Sequence, residues 1–205
     1  MINSEPKGNE LYPIFLKLHQ LHTLIVGGGN VGLEKLESLL KSSPRAKITM
    51  VASEVRRSEI WDLEKQFGSF TVIAKPFENV DLVGKDLVIC ASDDRNLHEH
   101  IRKLARDMNM VINVADTPDL CDFYLGSIVK KGDMKIAIST NGKSPTLAKR
   151  MREYLTEALP EADDVQQLLD SLKDVRDQLG GDFEYKVKKL NEITSSWLED
   201  AAGKE

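Results

Sequence analysis

Three closely spaced glycines near the amino terminus carry the most specific chemistry in this chain of 205 residues. Gly27, Gly29 and Gly32 stand in G-x-G-x-x-G spacing, after an apolar run and before a helical period. In such a loop the first glycine permits a tight turn, the second lets the backbone approach a pyrophosphate, and the third allows close packing of helix on strand. The N–H groups at the helix start, at Asn30 and Val31, complete a phosphate site. The loop predicts dinucleotide binding; the alternative is a turn with a structural role alone.

An acidic residue stands where a dinucleotide domain binds the adenosine ribose, about 20 residues past the loop. Ser53 and Glu54 end the second apolar segment, and a carboxylate here would accept from both ribose hydroxyls and repel the extra phosphate of NADP. This favours NAD, although the adjacent Arg56 and Arg57 weaken the argument against NADP. Glu54 is equally acceptable as an exposed acid at a helix start.

A third part of the expected cofactor site follows the fourth apolar run. Ala91 and Ser92 come where a Rossmann sheet meets its ligand, outside the carboxyl ends of the strands. We expect both residues to contact the cofactor. The next two residues, Asp93 and Asp94, are more simply explained as candidates for the N-cap of the following helix.

Five short apolar runs alternate with amphipathic helical stretches over the first half of the chain. The runs cover residues 21–26, 48–51, 70–74, 87–91 and 111–114. This alternation is typical of a doubly wound α/β fold with a parallel sheet and crossover helices. We therefore predict an α/β fold in which residues 1–113 form an NAD-binding Rossmann domain.

After Val114 the pattern changes. Turn residues are followed by two strand-like runs, 123–129 and 135–139, which predict a small central region over residues 114–148. Ser144 as N-cap and Pro145 in the first helical position then open a helix.

The rest of the chain is expected to be helical. Apolar positions recur with helical period from Val165 to Leu179, and again from Phe183 to Trp197, with Gly180 and Gly181 between the two stretches. Residues 149–205 are therefore predicted to form a C-terminal helical domain.

Charge is unevenly distributed in this chain of net charge -5. The total gives no attraction to nucleic acid or to an anionic membrane, and no nucleic-acid motif is present. Residues 126–152, however, hold seven basic residues against one acid. This basic segment suits a small polyanionic ligand; the alternative is a solvated charged face.

Cysteine and histidine usage indicates a cytoplasmic protein without a metal site. Cys90 and Cys121 are best explained as unpaired core thiols in a reducing compartment. Acids and proline interrupt the first residues where a signal peptide would need an apolar stretch, and 18 consecutive apolar residues occur nowhere. The four histidines form no Cys or His cluster with metal-ligand spacing.

Four motifs in this order resemble those of the precorrin-2 dehydrogenase family. After the glycine loop come NVADTP, FYLGSIV and ISTNGKSPTLAKRMRE, at residues 113–118, 123–129 and 138–153, and the opening YPIFLKL is also similar. The resemblance runs from about Leu11 to Leu159 and weakly through the helical tail. Bifunctional relatives continue into a methyltransferase module, so the resemblance implies the stand-alone form.

The resemblance implies oxidation of precorrin-2 to sirohydrochlorin with NAD as hydride acceptor, and in some members insertion of ferrous iron to give siroheme. It also implies a homodimer whose middle segment makes contacts across the two-fold axis. By motif, Asp116 matches an acid with a catalytic role in the family. Thr140 matches a serine that is phosphorylated in some members, and the replacement keeps the hydroxyl.

The residues themselves agree with such a substrate. A tetrapyrrole with acetate and propionate arms calls for positive charge and a helix N-terminus. We expect substrate contacts from the residues around the helix start at Ser144, namely Thr140, Asn141, Gly142, Lys143, Ser144 and Arg150. Removal of hydride is accompanied by loss of a proton, for which Asp116 is a suitable acceptor. On the residues alone, Asp116 is also an ordinary aspartate of an Asp-Thr-Pro turn.

Two other functions agree with the same glycine loop. One is a non-enzymatic Rossmann module that senses NAD or NADH and dimerises through its tail. The other is a small dehydrogenase that acts on a simple acid. The sensor hypothesis gives no role to the basic helix start or to Asp116. It also predicts a surface for a protein partner in place of a tetrapyrrole site.

Overall fold

The structure is a computed structural model that describes residues 8–195. The chain divides into two compact units, Met1–Leu125 and Gly126–Glu205. The division at residues 113 and 148 stays a prediction. Trp197, which is part of the last predicted helical face, lies outside the described residues.

The first unit alternates strands with helices. Its elements are β1 His22–Gly28, α1 Asn30–Ser42, β2 Lys47–Val55, α2 Glu59–Gln66, β3 Phe70–Ala74, β4 Leu87–Cys90, α3 Arg95–Asp107 and β5 Val111–Val114, with short 3-10 turns at Asn79–Leu82 and Pro118–Leu120. All five strands are parallel, in the order β3-β2-β1-β4-β5. The strand order reverses between β1 and β4, and this is the point at which such sheets bind ligands. The predicted α/β fold with a parallel sheet is confirmed.

Apolar residues on the two faces of this sheet build two cores. Ile25 and Met50 pack on one face with Leu36 of α1. Leu24 and Val88 pack on the other with Ile101 of α3. Strands covered on both faces need apolar residues at successive positions, which is why they read as unbroken apolar runs.

β1 and β2 extend further than the apolar runs predict. The pairing between them is irregular after Val26 and resumes with Gly28 opposite Val55. The N–H of Arg56 then donates to Gly28 O at 3.0 Å. Ser53 and Glu54 therefore lie in the last three residues of β2, because the backbone pairing continues after the apolar side chains end.

The second unit combines a hairpin with helices. Its elements are β6 Ser127–Lys131, β7 Met134–Ile138, α4 Pro145–Ala158, α5 Ala162–Gln178 and α6 Phe183–Thr194. β6 and β7 are antiparallel. α4 packs on both strands, and α5 packs on β6. Gln166 of α5 fixes the hairpin turn, because its Oε1 accepts from Asp133 N at 2.9 Å.

The strand predicted over residues 123–129 is wrong in its first half. β6 begins at Ser127, and the residues before it lack regular structure. Phe123 is held instead by a side chain, since Nδ2 of Asn113 donates to its carbonyl oxygen at 2.8 Å. The Asn113 side chain thus supplies the hydrogen bond that a partner strand would otherwise give to the Phe123 carbonyl oxygen.

Candidate functional site

The glycine loop joins β1 to α1 and is shaped by close backbone contacts. Gly27 has a φ of 123°, and a β-carbon on it would lie 2.5 Å from Ala91 O. A β-carbon on Gly32 would lie 2.2 Å from Gly27 O. Neither position accepts a side chain without displacing backbone. The loop therefore closes against the end of β4 on one side and against α1 on the other.

Gly29 differs from the other two glycines of the motif. It is the residue that caps α1, and within residues 8–195 no atom outside its immediate neighbours lies within 4 Å of its β-carbon position. The first N–H groups of α1 lack intrahelical acceptors, as at every helix start. An open position beside free N–H groups fits a phosphate, so the residues present fit the pyrophosphate of a dinucleotide.

A cleft of about 620 Å³ opens at the carboxyl ends of β1, β2 and β4. Eight of the nine predicted cofactor residues line it: Gly27, Gly29, Asn30, Val31, Ser53, Glu54, Ala91 and Ser92. Gly32 is not among the lining residues and lies beneath the loop, in contact with Gly27. The cleft therefore brings together three segments that are distant in the sequence.

In the part of the chain that the structure describes, nine further residues line the cleft that were not predicted from the sequence as cofactor contacts. They are Val26, Gly28, Val51, Ala52, Arg56, Phe77, Asp93, Asp94 and Leu97. Most of them adjoin predicted residues at the strand ends, where proximity in the chain was a usable signal. Phe77 lies in the segment after β3, and no motif marks it.

Charged side chains cross the mouth of the cleft. Nε of Arg56 lies 3.0 Å from Oε2 of Glu54, and its Nη1 lies 3.8 Å from Oδ2 of Asp93. The hydrogen bond that Arg56 donates to the Glu54 carboxylate raises the pKa of Arg56. Glu54 is therefore already paired with a cation, which reduces its repulsion of an adenosine 2′-phosphate.

The second arginine near the cleft is also paired. Arg57 donates to Asn30 Oδ1 at 3.0 Å and forms an ion pair with Glu59. This guanidinium lowers the pKa of Glu59 to about 2. Both arginines thus have carboxylate partners, and the choice between NAD and NADP stays a prediction.

Ser92 and Asp94 line the cleft, and each also forms a hydrogen bond with the first turns of α3. Oδ1 of Asp94 accepts from Leu97 N at 3.1 Å, which confirms the interpretation of Asp94 as the N-cap. Ser92 Oγ lies 2.9 Å from Nε2 of His98. His98 is buried. No sequence motif predicts its contact with Ser92, which is one of the predicted cofactor residues.

Asp116 lies just beyond β5, at the same carboxyl edge of the sheet as the cleft. Its side chain is exposed and its backbone has a φ of 56°. It is not among the residues that line the cleft. β5 is hydrogen-bonded to β4, the strand that carries Ala91 and Ser92 at its end. The position agrees with a group that faces a substrate next to the cofactor.

The six predicted substrate residues all lie in the second unit, around the start of α4. Thr140 Oγ1 accepts from Ser144 N at 3.2 Å and donates to Ser144 O at 3.1 Å. Asn141 and Gly142 both have positive φ, and Ser144 Oγ caps α4 by accepting from Leu147 N. Thr140 and Ser144 therefore shape the loop, while Lys143 and Arg150 remain exposed.

Both cysteines are free thiols. Burial raises the pKa of Cys90 to about 12 and raises the pKa of Cys121 as well. Both are therefore protonated and unreactive at neutral pH. Within residues 8–195, no group of three or more His, Cys, Asp or Glu side chains is arranged to hold a metal ion. In the same range no helix combines the length and apolarity that crossing a bilayer requires.

Comparisons with known proteins match both units. A family model described as "Putative NAD(P)-binding" matches residues 14–127, more than half of the chain, and one described as "Sirohaem biosynthesis protein central" matches residues 131–158. Siroheme synthase of Methylococcus capsulatus is 37% identical over 148 residues, which are 72% of this chain and 30% of the relative. Siroheme synthase of Psychrobacter cryohalolentis is 32% identical over 193 residues, 94% of this chain and 35% of the relative.

The chain thus spans about a third of the length of these curated relatives. A solved structure, that of SirC, precorrin-2 dehydrogenase, is similar over 89% of each chain, with a TM-score of 0.72 and 26% sequence identity. The first unit is an NAD(P)-binding domain, and the predicted family is confirmed. By its glycine loop, its cleft and these matches, the chain belongs to the precorrin-2 dehydrogenase and siroheme synthase N-terminal family.

Proposed function

We propose that this chain catalyses the NAD-dependent oxidation of precorrin-2 to sirohydrochlorin in siroheme biosynthesis. The observation that carries the proposal is the likeness to a solved precorrin-2 dehydrogenase over 89% of both chains. The glycine loop and cleft supply the nucleotide site that such a reaction needs.

The cleft is the proposed site of NAD. The first-turn N–H groups of α1 would bind the pyrophosphate beside Gly29, and Glu54 would accept from the adenosine ribose hydroxyls. Ser53, Ala91 and Ser92 line the remaining walls. Bound NAD supplies a hydride acceptor. We favour NAD over NADP because the acid at the end of β2 suits ribose hydroxyls, even though Arg56 already pairs with it.

Asp116 is the proposed proton acceptor. Oxidation of a partly reduced tetrapyrrole removes a hydride and a proton, and the proton needs a base at the ring. Asp116 is exposed, and it follows the strand next to β4 at the carboxyl edge of the sheet. A carboxylate in this position is accessible to a substrate that lies over the cleft.

The start of α4 is the proposed site for the carboxylate arms of the substrate. Lys143 and Arg150 offer exposed positive charge, and Asn141 and Gly142 turn the backbone at the head of the helix. Thr140 and Ser144 hold this loop in shape through their mutual hydrogen bonds. Cations and a helix N-terminus together favour a ligand with several negative charges.

We also propose a cytoplasmic homodimer. Two free, protonated thiols agree with a reducing compartment. α4 exposes Leu147, Met151 and Tyr154 at helical spacing, which suits an interface between copies of this chain. Sedimentation at micromolar concentration tests the dimer, and a monomer would contradict it. Ferrous iron as a second substrate stays a prediction.

The experiment for the proposed activity mixes the purified chain with precorrin-2 and follows the visible absorbance before and after NAD is added. We expect a spectral change to sirohydrochlorin that requires NAD. A sensor module would bind NAD and leave the tetrapyrrole spectrum unchanged. A dehydrogenase of simple acids would reduce NAD with those acids and would not act on precorrin-2.

A further inference from the structure

The outer edge of β5 is covered by a segment that follows it in the chain. β5 is an edge strand of the sheet. Its Ile112 donates to Asp122 Oδ2 at 3.1 Å and accepts from Asp122 N at 2.8 Å. Val114 N donates to Cys121 Sγ at 3.2 Å. Residues 121 and 122 therefore lie along β5 and bond its outward groups, much as a further strand would.

A buried arginine fixes this segment from the side of α3. Arg102 is 8% exposed, and its Nη1 forms an ion pair with Oδ2 of Asp122, the same oxygen that accepts from Ile112 N. Burial opposes the charge of Asp122, but the Arg102 and Ile112 hydrogen bonds outweigh it and lower the pKa of this carboxyl. One carboxylate thus ties α3, β5 and the loop together.

Asp116 lies inside the loop that this tie closes. Its φ of 56° lies in the left-handed region, which aspartate adopts more readily than most residues but still at a cost, so contacts within the loop help to maintain it. Thr117 N donates to Val114 O at 3.3 Å, and Thr117 Oγ1 donates to Ala115 O at 3.2 Å. Cys121 Sγ lies 3.4 Å from Thr117 O, so the turn is also bonded to the segment that returns to β5.

We propose that Arg102 and Asp122 are positioning residues that hold the loop, and with it the Asp116 carboxylate, in the orientation needed for catalysis. This inference rests on the proposed function, in which Asp116 accepts the proton. The other explanation is that the pair only protects an edge strand. If the pair only protects the edge, its loss would lower the stability of the protein, and its effect on turnover would be independent of Asp116.

The test compares Asp122→Asn with a matched control on the same loop. Asp119 pairs with Arg95 of α3 at 3.4 Å, but both side chains are exposed. We expect Asp122→Asn to lower kcat by up to about 100-fold with KM for NAD unchanged, because small displacements of a reacting group are that costly. Asp119→Asn should stay within about two-fold of the parent, since exposed pairs contribute little.

Arg102→Lys is the conservative variant. It keeps a cation but not the planar guanidinium, and it should retain more activity than Arg102→Met, which keeps the stem and loses the charge. A double variant adds Asp116→Asn. If Asp122 acts through Asp116, the double variant should be no slower than Asp116→Asn alone. If the losses of kcat in Asp122→Asn and Asp116→Asn instead multiply in the double variant, the two residues act independently and the proposal is overturned.

Amide hydrogen exchange gives a second readout that needs no substrate. In the folded Asp122→Asn protein, exchange at Val114 and Thr117 should accelerate while β1 amides stay protected. Unchanged exchange at both positions would overturn the positioning role. If Asp116→Asn alone leaves turnover intact, the proposed base is wrong, and faster exchange in Asp122→Asn would still support a pair that holds the loop.

Discussion

The hydroxyl of Ser92 lies 2.9 Å from Nε2 of His98, so a residue on the wall of the cofactor cleft is bonded to a histidine that is only 4% exposed. Burial lowers the pKa of His98 below its ordinary value, against the opposing effect of Asp94 and Asp93. His22, at the start of β1, has a pKa lowered by burial and by Lys85. Both rings therefore favour the neutral form in the folded protein.

This predicts a loss of stability as the pH falls below about 6.5, the ordinary value for histidine. The unfolded chain takes up protons there before the folded protein does, so the free energy of unfolding decreases with falling pH. Urea unfolding at several pH values above about 5, where ordinary carboxylates remain charged, measures it. His98→Gln should flatten part of the slope. His100→Gln, at an exposed position on α3, is the control, and an equal slope in all three proteins would refute the prediction.

Gly29→Val should abolish NAD binding without unfolding the chain. The φ of Gly29 is -89°, which residues with side chains adopt, and among the described residues only its chain neighbours lie within 4 Å of the new β-carbon. The valine would fill the space that the pyrophosphate needs. We expect NAD affinity to fall at least about 100-fold, or about 2.8 kcal/mol, in calorimetric titration. Gly68→Val, at another glycine with open space, should bind NAD as the parent does. Unchanged affinity in folded Gly29→Val would remove the loop from the cofactor site.

Charge reversal at Lys143 or Arg150 should weaken tetrapyrrole binding more than NAD binding. Each variant replaces an exposed cation near the start of α4 with an anion, and we expect a loss of about 10-fold in tetrapyrrole affinity. The loss should shrink as ionic strength rises. Lys173→Glu on α5 makes the same charge change elsewhere in the second unit and serves as control. Equal losses for both ligands would contradict a separate anion site.

The glycine loop could be predicted in detail because its determinants are local. The spacing of Gly27 and Gly32 encodes contacts with the adjoining strand and helix, and both contacts are present. Apolar runs also predicted the sheet, since parallel strands are covered on both faces. They failed where backbone pairing continues past the apolar side chains, as at Glu54 in β2.

Polar contacts between residues distant in the chain could not be predicted from the sequence pattern. Arg102 and Asp122 are 20 residues apart, on a helix and a loop, and neither stands in a recognisable motif. The same holds for Ser92 and His98, where the sequence suggests only a helix start. Phe123 was predicted as strand because its neighbours are apolar, but an asparagine side chain bonds its carbonyl oxygen. Such pairings depend on the tertiary fold, which periodicity does not describe.

Asp116→Asn should separate chemistry from binding. Asparagine keeps the size of the side chain and tolerates a positive φ, so the loop should remain folded. The variant should bind NAD normally and oxidise precorrin-2 about 10²- to 10⁴-fold more slowly, the usual effect of losing a general base. Turnover within about three-fold of the parent, with unchanged NAD affinity, would place the base elsewhere.

The most direct test of the account follows NADH formation and loss of precorrin-2 in the same cuvette, with the parent chain and without added iron. We predict that NADH appears in equal amount to the precorrin-2 consumed, that sirohydrochlorin accumulates, and that neither change occurs when NAD is omitted. A folded chain that binds NAD and leaves both NAD and precorrin-2 unchanged would contradict the account.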